Sequence, residues 1–233
     1  MENLTINSIT IYGLDVQKKV SEISHILMGI LEKNATKEVG AIVDKTLFGL
    51  RDIAEDPLTE GNAPWADASK HREFINDYNA MIKEVDDMEE SLDEYRIKLL
   101  MDQHVIGTIQ TLNQECINSI DNMIYELSST INVYKLQNGE NGPVSDDMSD
   151  HMERRRDELR LSGEIAKQQV AQIKLLQDSY ATMISSIQAV LYSAIPLWKD
   201  KMVSIMHSKT TDEESLEEFK MATELLMSGL GMK

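Results

Sequence analysis

Cysteine, proline, glycine and aromatic residues are all scarce in this chain, and each scarcity excludes a class of structure. The single cysteine, Cys116, cannot form an internal disulfide, which excludes a small secreted scaffold held together by disulfides. Four prolines, eleven glycines and 5% aromatic residues in 233 positions suit sheets poorly. Together with 27% charged residues and 14 methionines, this composition favours long helices.

Positive charge is also in deficit, because 40 acidic residues face 23 lysines and arginines and leave a formal net charge of −17. Such a surface repels a nucleic-acid backbone and an anionic membrane, so neither is expected as a partner. The N-terminus lacks the charged-then-apolar pattern of a signal peptide. The most apolar stretch, Met183–Trp198, falls short of the roughly 20 residues of a spanning helix. We therefore expect a cytoplasmic protein without an integral membrane segment, which would associate with a membrane only through a partner.

Apolar periodicity predicts an all-α fold. Two short amphipathic helices are expected at about 14–32 and 38–55, followed by a proline-containing linker, EDPLTEGNAPW. A long helix at about 64–135 has an apolar seam with heptad spacing up to Leu99 and an eleven-residue period beyond it. Its predicted seam residues are Phe74, Tyr78, Met81, Val85, Met88, Leu92, Tyr95, Leu99, Ile109, Leu112, Cys116, Ile120, Met123, Leu127, Ile131 and Tyr134.

A turn at 136–147, rich in asparagine and glycine, separates this helix from a second long helix at about 148–207. Pro196 should kink the second helix, because proline removes one backbone donor and clashes with the preceding turn. A terminal helix is expected at about 212–228. The chain 1–233 is thus predicted to be one elongated domain: an antiparallel coiled-coil hairpin as a stalk, with a small helical-bundle head formed by the short N- and C-terminal helices.

The register of the hairpin follows from its turn. With the turn centred near residue 141, Val85 should face the neighbourhood of Leu197. The acidic run Glu84–Glu94 should then lie near Lys199 and Lys201, with some charge complementarity. This run has the carboxylates of a cation site, but its seam residues indicate an ordinary solvated helix face.

Few residues suggest direct chemistry. The arginines at Arg154–Arg156 and Arg160 form either an oxyanion site or ordinary ion pairs with the acidic residues among them. Cys116 lies on the predicted seam, where a small buried residue is expected, although a redox role stays open. The five histidines are scattered and lack metal-ligand spacing. We expect no catalytic residues, no metal and no cofactor.

The segment MERRRDELRLSGEIAKQQVAQIKLLQDSYATMISSIQAVLYSAIPLWKDKM (152–202) resembles the signature region of the TelA-type toxic anion resistance family. In that family a glutamine-rich P-Q-I-x-L-x-Q stretch precedes I-P-L-W-K-N-Q by about twenty residues. Ala171 replaces the usual proline, and Asp200 and Lys201 replace the usual Asn-Gln pair. The matching positions are Gln172, Ile173, Leu175 or Leu176, Gln177, Ile195, Pro196, Leu197, Trp198 and Lys199.

The resemblance implies a bacterial, cytoplasmic, all-helical stress-resistance protein and supplies no catalytic residues. We expect a non-enzymatic adaptor or scaffold that contributes to resistance to tellurite, other toxic anions and cell-envelope stress. Its partner is expected among envelope-stress or resistance-operon proteins; a homo-oligomer stays open. The alternative for Trp198 is a core position that fills the junction between the short helices and the hairpin. The expected interaction surface consists of Gln172, Ile173, Gln177, Ile195, Pro196, Leu197, Trp198 and Lys199. The alternatives are direct oxyanion binding at Arg154–Arg160, oxyanion reduction at Cys116, or a purely structural coiled-coil spacer.

Overall fold

The computed structural model describes residues 5–33, 37–44, 68–138, 145–207 and 213–230. Within these ranges 97% of the residues are helical and none lies in a strand, which confirms the all-α class. The predicted linker and the tip of the predicted turn lie outside the described residues. The helices are α1 (Ile6–Ile11), α2 (Leu14–Glu32), α3 (residues 37–44), α4 (Ala68–Asn138), α5 (Ser145–Ala189), a π-helical turn (Val190–Ala194), α6 (Ile195–His207) and α7 (Glu213–Gly229).

The bounds of α2, of the two long helices and of the terminal helix lie close to those predicted where they are described. Residues 45–55 of the second predicted short helix and residues 64–67 of the first long helix lie outside the described residues. One short helix was not predicted. Thr5 begins this helix, α1, with a capping box, in which its hydroxyl accepts the Ser8 backbone N–H at 3.2 Å and the Ser8 hydroxyl accepts the Thr5 N–H at 2.9 Å. The helix ends at Ile11, and two residues later Gly13, whose φ is 76°, caps the start of α2 and lets the chain turn into it.

The chain divides into two compact units. The first contains residues 1–33 and 103–178, and the second contains residues 34–102 and 179–233. The short helices are therefore divided between the units, with α1 and α2 in the first and α3 and α7 in the second, and a head formed jointly by the N- and C-terminal helices stays a prediction. The expectation of one elongated domain over residues 1–233 stays a prediction.

The first unit is a three-helix bundle of α2 with parts of α4 and α5. Lys135 bonds to Glu153 at 2.7 Å and Lys167 lies 3.6 Å from Asp121, so α4 and α5 run antiparallel, as predicted for the hairpin. The third helix of this bundle is α2, and its apolar stripe is buried in the bundle core. Its residues are Val16, Val20, Ile23, Leu27 and Ile30.

Polar contacts determine how α2 lies on α5. The Gln17 side-chain amide donates to Ser162 Oγ at 2.8 Å, and the Gln169 amide donates to Ser24 Oγ at 2.6 Å. Residue numbers rise together along both helices, so α2 is parallel to α5. These bonds are partly buried and join residues far apart in the chain, so the apolar periodicity of α2 alone could not have identified α5 as its partner.

One predicted seam position in α4 is wrong. Leu112 is 44% exposed, whereas the next residue, Asn113, is fully buried. The Asn113 side-chain amide donates to the Ala166 carbonyl oxygen at 2.8 Å, and this bond compensates part of the cost of burying a polar group. Apolar periodicity assigns the core to leucine, so it could not detect a buried asparagine held by the facing helix.

The second unit contains the other part of the long helices together with α3, α6 and α7. Lys199 bonds to Asp86 at 2.6 Å, which confirms the predicted pairing of the Val85 neighbourhood with that of Leu197. All the predicted α4 seam residues with described side chains are buried here. They are Tyr78, Met81, Val85, Met88, Leu92, Tyr95 and Leu99.

The helical run Asp147–Met206 contains a stretch that is long and apolar enough to cross a membrane, judged by length and composition alone. Within the fold, 39% of this stretch is buried. Core helices of soluble proteins meet the same criteria, so the expected absence of an integral membrane segment stays a prediction.

Gly13 and Gly29 provide a matched test of the turn that joins α1 to α2. A Cβ atom at Gly13 would lie 2.8 Å from Met123 Sδ and 2.9 Å from a Leu159 methyl, at a positive φ. We expect Gly13→Ala to lower the free energy of unfolding by about 1–3 kcal/mol. Gly29, inside α2, has no such neighbour within 4 Å, so Gly29→Ala should raise it by about 0.5–1 kcal/mol.

Urea unfolding monitored by circular dichroism measures both variants. If Gly13→Ala were as stable as Gly29→Ala, the close packing of α2 against the bundle at this turn would be contradicted.

Candidate functional site

The Trp198 side chain, in the IPLWK segment, is buried in the core of the second unit. Its relative exposure is 0%, like that of Ile195 one turn earlier. The indole Nε1 donates to Thr223 Oγ1 of α7 at 3.2 Å, and the ring centroid lies 6.3 Å from that of Phe219. The indole therefore anchors α7 on α6 through a buried hydrogen bond and an aromatic contact.

The Thr223 hydroxyl completes this anchor. It accepts from the indole and donates to the Phe219 carbonyl oxygen at 2.9 Å, so both polar groups are satisfied inside an otherwise apolar site. Thr223 is fully buried. Only a hydroxyl that both accepts and donates can satisfy these two neighbours, which explains why a threonine interrupts the apolar stripe of α7.

Pro196 follows directly after the π-helical turn, where sequence analysis expects a kink. The Ile195 backbone N–H donates to the Val190 carbonyl oxygen, five residues back, and α6 then continues to His207. In a regular α-helix the proline ring would clash with the carbonyl of Tyr192, four residues before it. The wider π-helical turn before Pro196 accommodates the ring. The proline therefore coincides with an irregular turn, and the helix continues through it.

Lys199 binds the acidic run of α4, as the hairpin register predicts. Its ammonium lies 2.6 Å from both Asp86 Oδ1 and Glu89 Oε2. Burial alone would lower the pKa of Lys199, but the hydrogen bonds to these two carboxylates outweigh it and leave the pKa raised. Lys201 binds α7 instead, since its ammonium lies 2.7 Å from Glu218.

The eight motif residues proposed as an interaction surface separate into buried and exposed groups. Ile173, Ile195 and Trp198 are at most 1% exposed, so they are core residues and cannot themselves contact a partner in this fold. This corrects the assignment of these three to a surface; periodicity already placed Ile173 and Ile195 on the apolar stripe. The exposed or half-buried members are Gln172, Gln177, Pro196, Leu197 and Lys199.

The two halves of the motif belong to different units. Gln172 and Gln177 lie in the first unit, where the Gln177 amide donates to Gln110 Oε1 at 2.9 Å. The Leu175 side chain is 71% exposed and Leu176 is 7% exposed, so Leu176 is the core residue of this half. The IPLWK half lies in the second unit.

The role of Arg155 was not predicted. Its side chain is buried, its Nε donates to the Tyr12 carbonyl oxygen at 2.8 Å, and a terminal nitrogen donates to Gln17 Oε1 at 2.7 Å. A further nitrogen contacts the Glu158 carboxylate. Arg155 thus holds the turn before α2 on α5, and its position four residues before Leu159 on the apolar stripe was the only sequence signal for burial.

The neighbouring arginines are paired with acidic residues, which weighs against an oxyanion site. Arg156 and Arg160 each lie 3.5 Å from Asp157. Tyr12, at the turn held by Arg155, donates its hydroxyl to Glu126. Burial and this carboxylate raise the pKa of Tyr12 well above its usual value, so the phenol stays neutral. Most of these arginines are therefore engaged within the protein, although Arg154 and Arg160 are exposed.

Cys116 is 4% exposed in the first unit, as the seam predicted. Burial raises the pKa of its thiol; nearby Lys19 lowers it, and Glu115 and Asp15 raise it. A buried thiol with a raised pKa forms little thiolate, the nucleophilic and redox-active form.

Among the described residues, no three His, Cys, Asp or Glu side chains form a group that could hold a metal ion. The expected absence of cofactors and catalysis stays a prediction.

Trp198 and Thr223 should be coupled in their effect on stability. We expect Trp198→Ala to lower the free energy of unfolding by about 3–5 kcal/mol, because it leaves a large cavity. Thr223→Val should cost about 1–3 kcal/mol, because the buried indole N–H loses its acceptor, whereas Thr223→Ser keeps the hydroxyl and should cost less. Leu197→Ala, at a side chain 39% exposed, is the control and should cost under about 1 kcal/mol.

Chemical denaturation of each variant measures these differences. A Trp198→Ala protein that unfolds at the wild-type urea concentration would contradict the anchoring role.

Lys199 should give stability a specific dependence on pH. Because its folded-state pKa is raised above the unfolded value, its contribution is fully present below the unfolded pKa and is lost as pH rises through the folded pKa. We expect Lys199→Gln to cost about 1 kcal/mol at pH 8, and the difference from wild type to shrink above about pH 10.5. Urea unfolding of both proteins at pH 8 and again above about pH 10.5 tests this, and Lys174→Gln, at an exposed lysine, is the control. A difference that grows with pH would contradict the assignment.

Comparison with known proteins identifies relatives along nearly the whole chain. A family described as "Toxic anion resistance protein (TelA)" matches residues 2–227. An uncharacterized protein of Listeria monocytogenes is 23% identical over 215 residues, covering 82% of this chain and 53% of its own length. The uncharacterized protein YaaN of Bacillus subtilis is 22% identical over 227 residues, covering 87% of this chain and 58% of its own.

A TelA-like protein of Staphylococcus saprophyticus is 21% identical over 215 residues, covering 82% of this chain and 56% of its own. This chain thus spans about half the length of the curated relatives that it matches. No solved structure matches it.

Proposed function

The chain belongs to the TelA family of toxic anion resistance proteins, and from this premise we propose that it acts as a non-enzymatic helical adaptor in resistance to tellurite and related toxic anions. The proposal places it in the cytoplasm, as a protein that binds another protein rather than the anion. It also includes a contribution to tolerance of cell-envelope stress.

The observation that carries the proposal is that the chemically distinctive residues are used for internal packing. Trp198 bonds to Thr223, Arg155 bonds to Tyr12 and Gln17, and the Cys116 thiol is buried. None of these groups is offered to a small anion, whereas the packing that they provide holds helices in defined positions. A helical protein of this kind is suited to presenting a surface.

Charge supports the same proposal. A net charge of −17 repels a diffusing oxyanion everywhere except in a shielded basic pocket. The arginine run, which is the best candidate for such a pocket, is largely paired with acidic residues. Direct binding or reduction of tellurite is therefore the less favoured mechanism.

Two measurements together test the proposal. In a bacterial host that lacks the gene, the wild-type chain should restore growth on tellurite, and so should Cys116→Ala and the exposed-site variant Arg154→Gln, because neither residue acts on the anion. Isothermal titration of the purified full chain with potassium tellurite at millimolar concentration should give no heat of binding.

Opposite results would identify direct chemistry. Saturable heat that disappears in Arg154→Gln would show an oxyanion site, and loss of resistance in a folded Cys116→Ala protein would show a redox role. A deletion strain as resistant as its parent would contradict the function itself.

A further inference from the structure

Two contacts in the second unit define one side of the helix pair. The Arg96 guanidinium lies 5.9 Å from the centre of the Tyr192 ring, and Lys199 bonds to Asp86 and Glu89. On both helices the two contacts are about two turns apart, and they follow the antiparallel order. They therefore lie along a single shared surface, which we call the α4/α6 face.

One end of the α4/α6 face is apolar and exposed. Ile97 and Leu100 are 47% and 40% exposed, and Tyr192 is 63% exposed. Ile97 follows Asp93 by four residues and Leu100 follows Arg96 by four, so both lie on the face that Arg96 shares with Tyr192. Pro196, exposed one turn after Tyr192, extends this apolar end.

The other end of the face is acidic. The cations described along the whole face, Arg96 and Lys199, are already held by α4 carboxylates, since Arg96 bonds to Asp93 at 2.7 Å and Lys199 to Asp86 and Glu89. Five carboxylates lie along the face against these two cations, which leaves a negative excess. The carboxylates are Asp86, Glu89, Glu90, Asp93 and Asp200.

We propose that the α4/α6 face binds a basic amphipathic helix of a partner protein, an inference that rests on the adaptor function proposed above. Aliphatic side chains of that helix would cover Ile97, Leu100 and Tyr192, while lysines or arginines one or two turns further along would reach Glu90 and Asp200. The span from Asp86 to Leu100 is about 21 Å of helix, which suits a peptide of about 14–18 residues.

Charge distinguishes this occupant from two others. A second copy of this chain would bring another net charge of −17 to an acidic face, and an anionic membrane surface would be repelled in the same way. A cationic helix gains from both ends of the face, because its apolar stripe and its charges match in a single orientation.

A designed peptide tests the face on the purified full chain. The probe is a fluorescein-labelled 18-residue helix with leucines along one side and lysines beside them, and its matched control has glutamates in place of the lysines. Fluorescence anisotropy should show binding of the lysine peptide only, weakening as salt rises.

Variants show where the peptide binds. Tyr192→Ser and Glu90→Lys should each raise the dissociation constant about tenfold. Matched changes in the first unit, Tyr125→Ser at a tyrosine that is 76% exposed and Glu115→Lys at an exposed glutamate, should change it by less than about twofold. Circular dichroism and urea unfolding confirm that each variant is folded.

Several outcomes would overturn the proposal. If the variants in both units weakened peptide binding equally, the peptide would be binding through the overall charge of the protein rather than at the α4/α6 face. Co-sedimentation with phosphatidylglycerol vesicles that requires Tyr192 would assign the face to a membrane surface. A sedimentation-detected dimer that Tyr192→Ser dissociates would assign it to a second copy of the chain.

Growth on tellurite separates this inference from the proposed function. If the deletion strain is sensitive and a folded Tyr192→Ser, Glu90→Lys double variant restores full resistance, the face is not the adaptor surface and the proposed function stands. If the deletion strain is not sensitive, the proposed function fails, and the peptide measurements still decide whether the face binds a basic helix.

Discussion

Burial of the apolar stripes of α4 and α5 against each other is the constraint on which both units depend. Exposure of either stripe to water would be unfavourable, and in each unit the facing long helix buries it. The antiparallel register that results brings Lys135 to Glu153 in the first unit and Lys199 to Asp86 in the second. The short helices then pack on surfaces that this pairing has created.

Buried polar groups determine how the short helices are placed on those surfaces. Apolar stripes permit many partners and registers, whereas a buried guanidinium or amide tolerates only the arrangement that satisfies it. Arg155 and Gln169 fulfil this role for α2, and the bond between Trp198 and Thr223 does so for α7. The family motif therefore includes residues that specify packing as well as residues that stay exposed.

The π-helical turn before Pro196 connects packing to the proposed adaptor function. It accommodates a proline within a continuous helix and keeps Ile195 and Trp198 directed inward. The same segment leaves Tyr192 and Pro196 outside, beside an acidic stretch of α4. An irregular turn can thus serve two purposes, since the residues that anchor α7 and the residues that face outward are neighbours along one helix.

The sequence by itself determined the all-α class, the bounds of α2 and of the long helices, the α4 seam up to Leu99 and the pairing of Lys199 with the acidic run. These features depend on local periodicity and on the position of one turn, which a sequence displays directly. Only the tertiary structure decided that Asn113 is buried instead of Leu112, that Arg155 holds α2, and that α1 and α2 belong to a different unit from α7. Each of these depends on a partner atom far away in the chain, and amphipathic periodicity indicates that a face is buried without indicating what covers it.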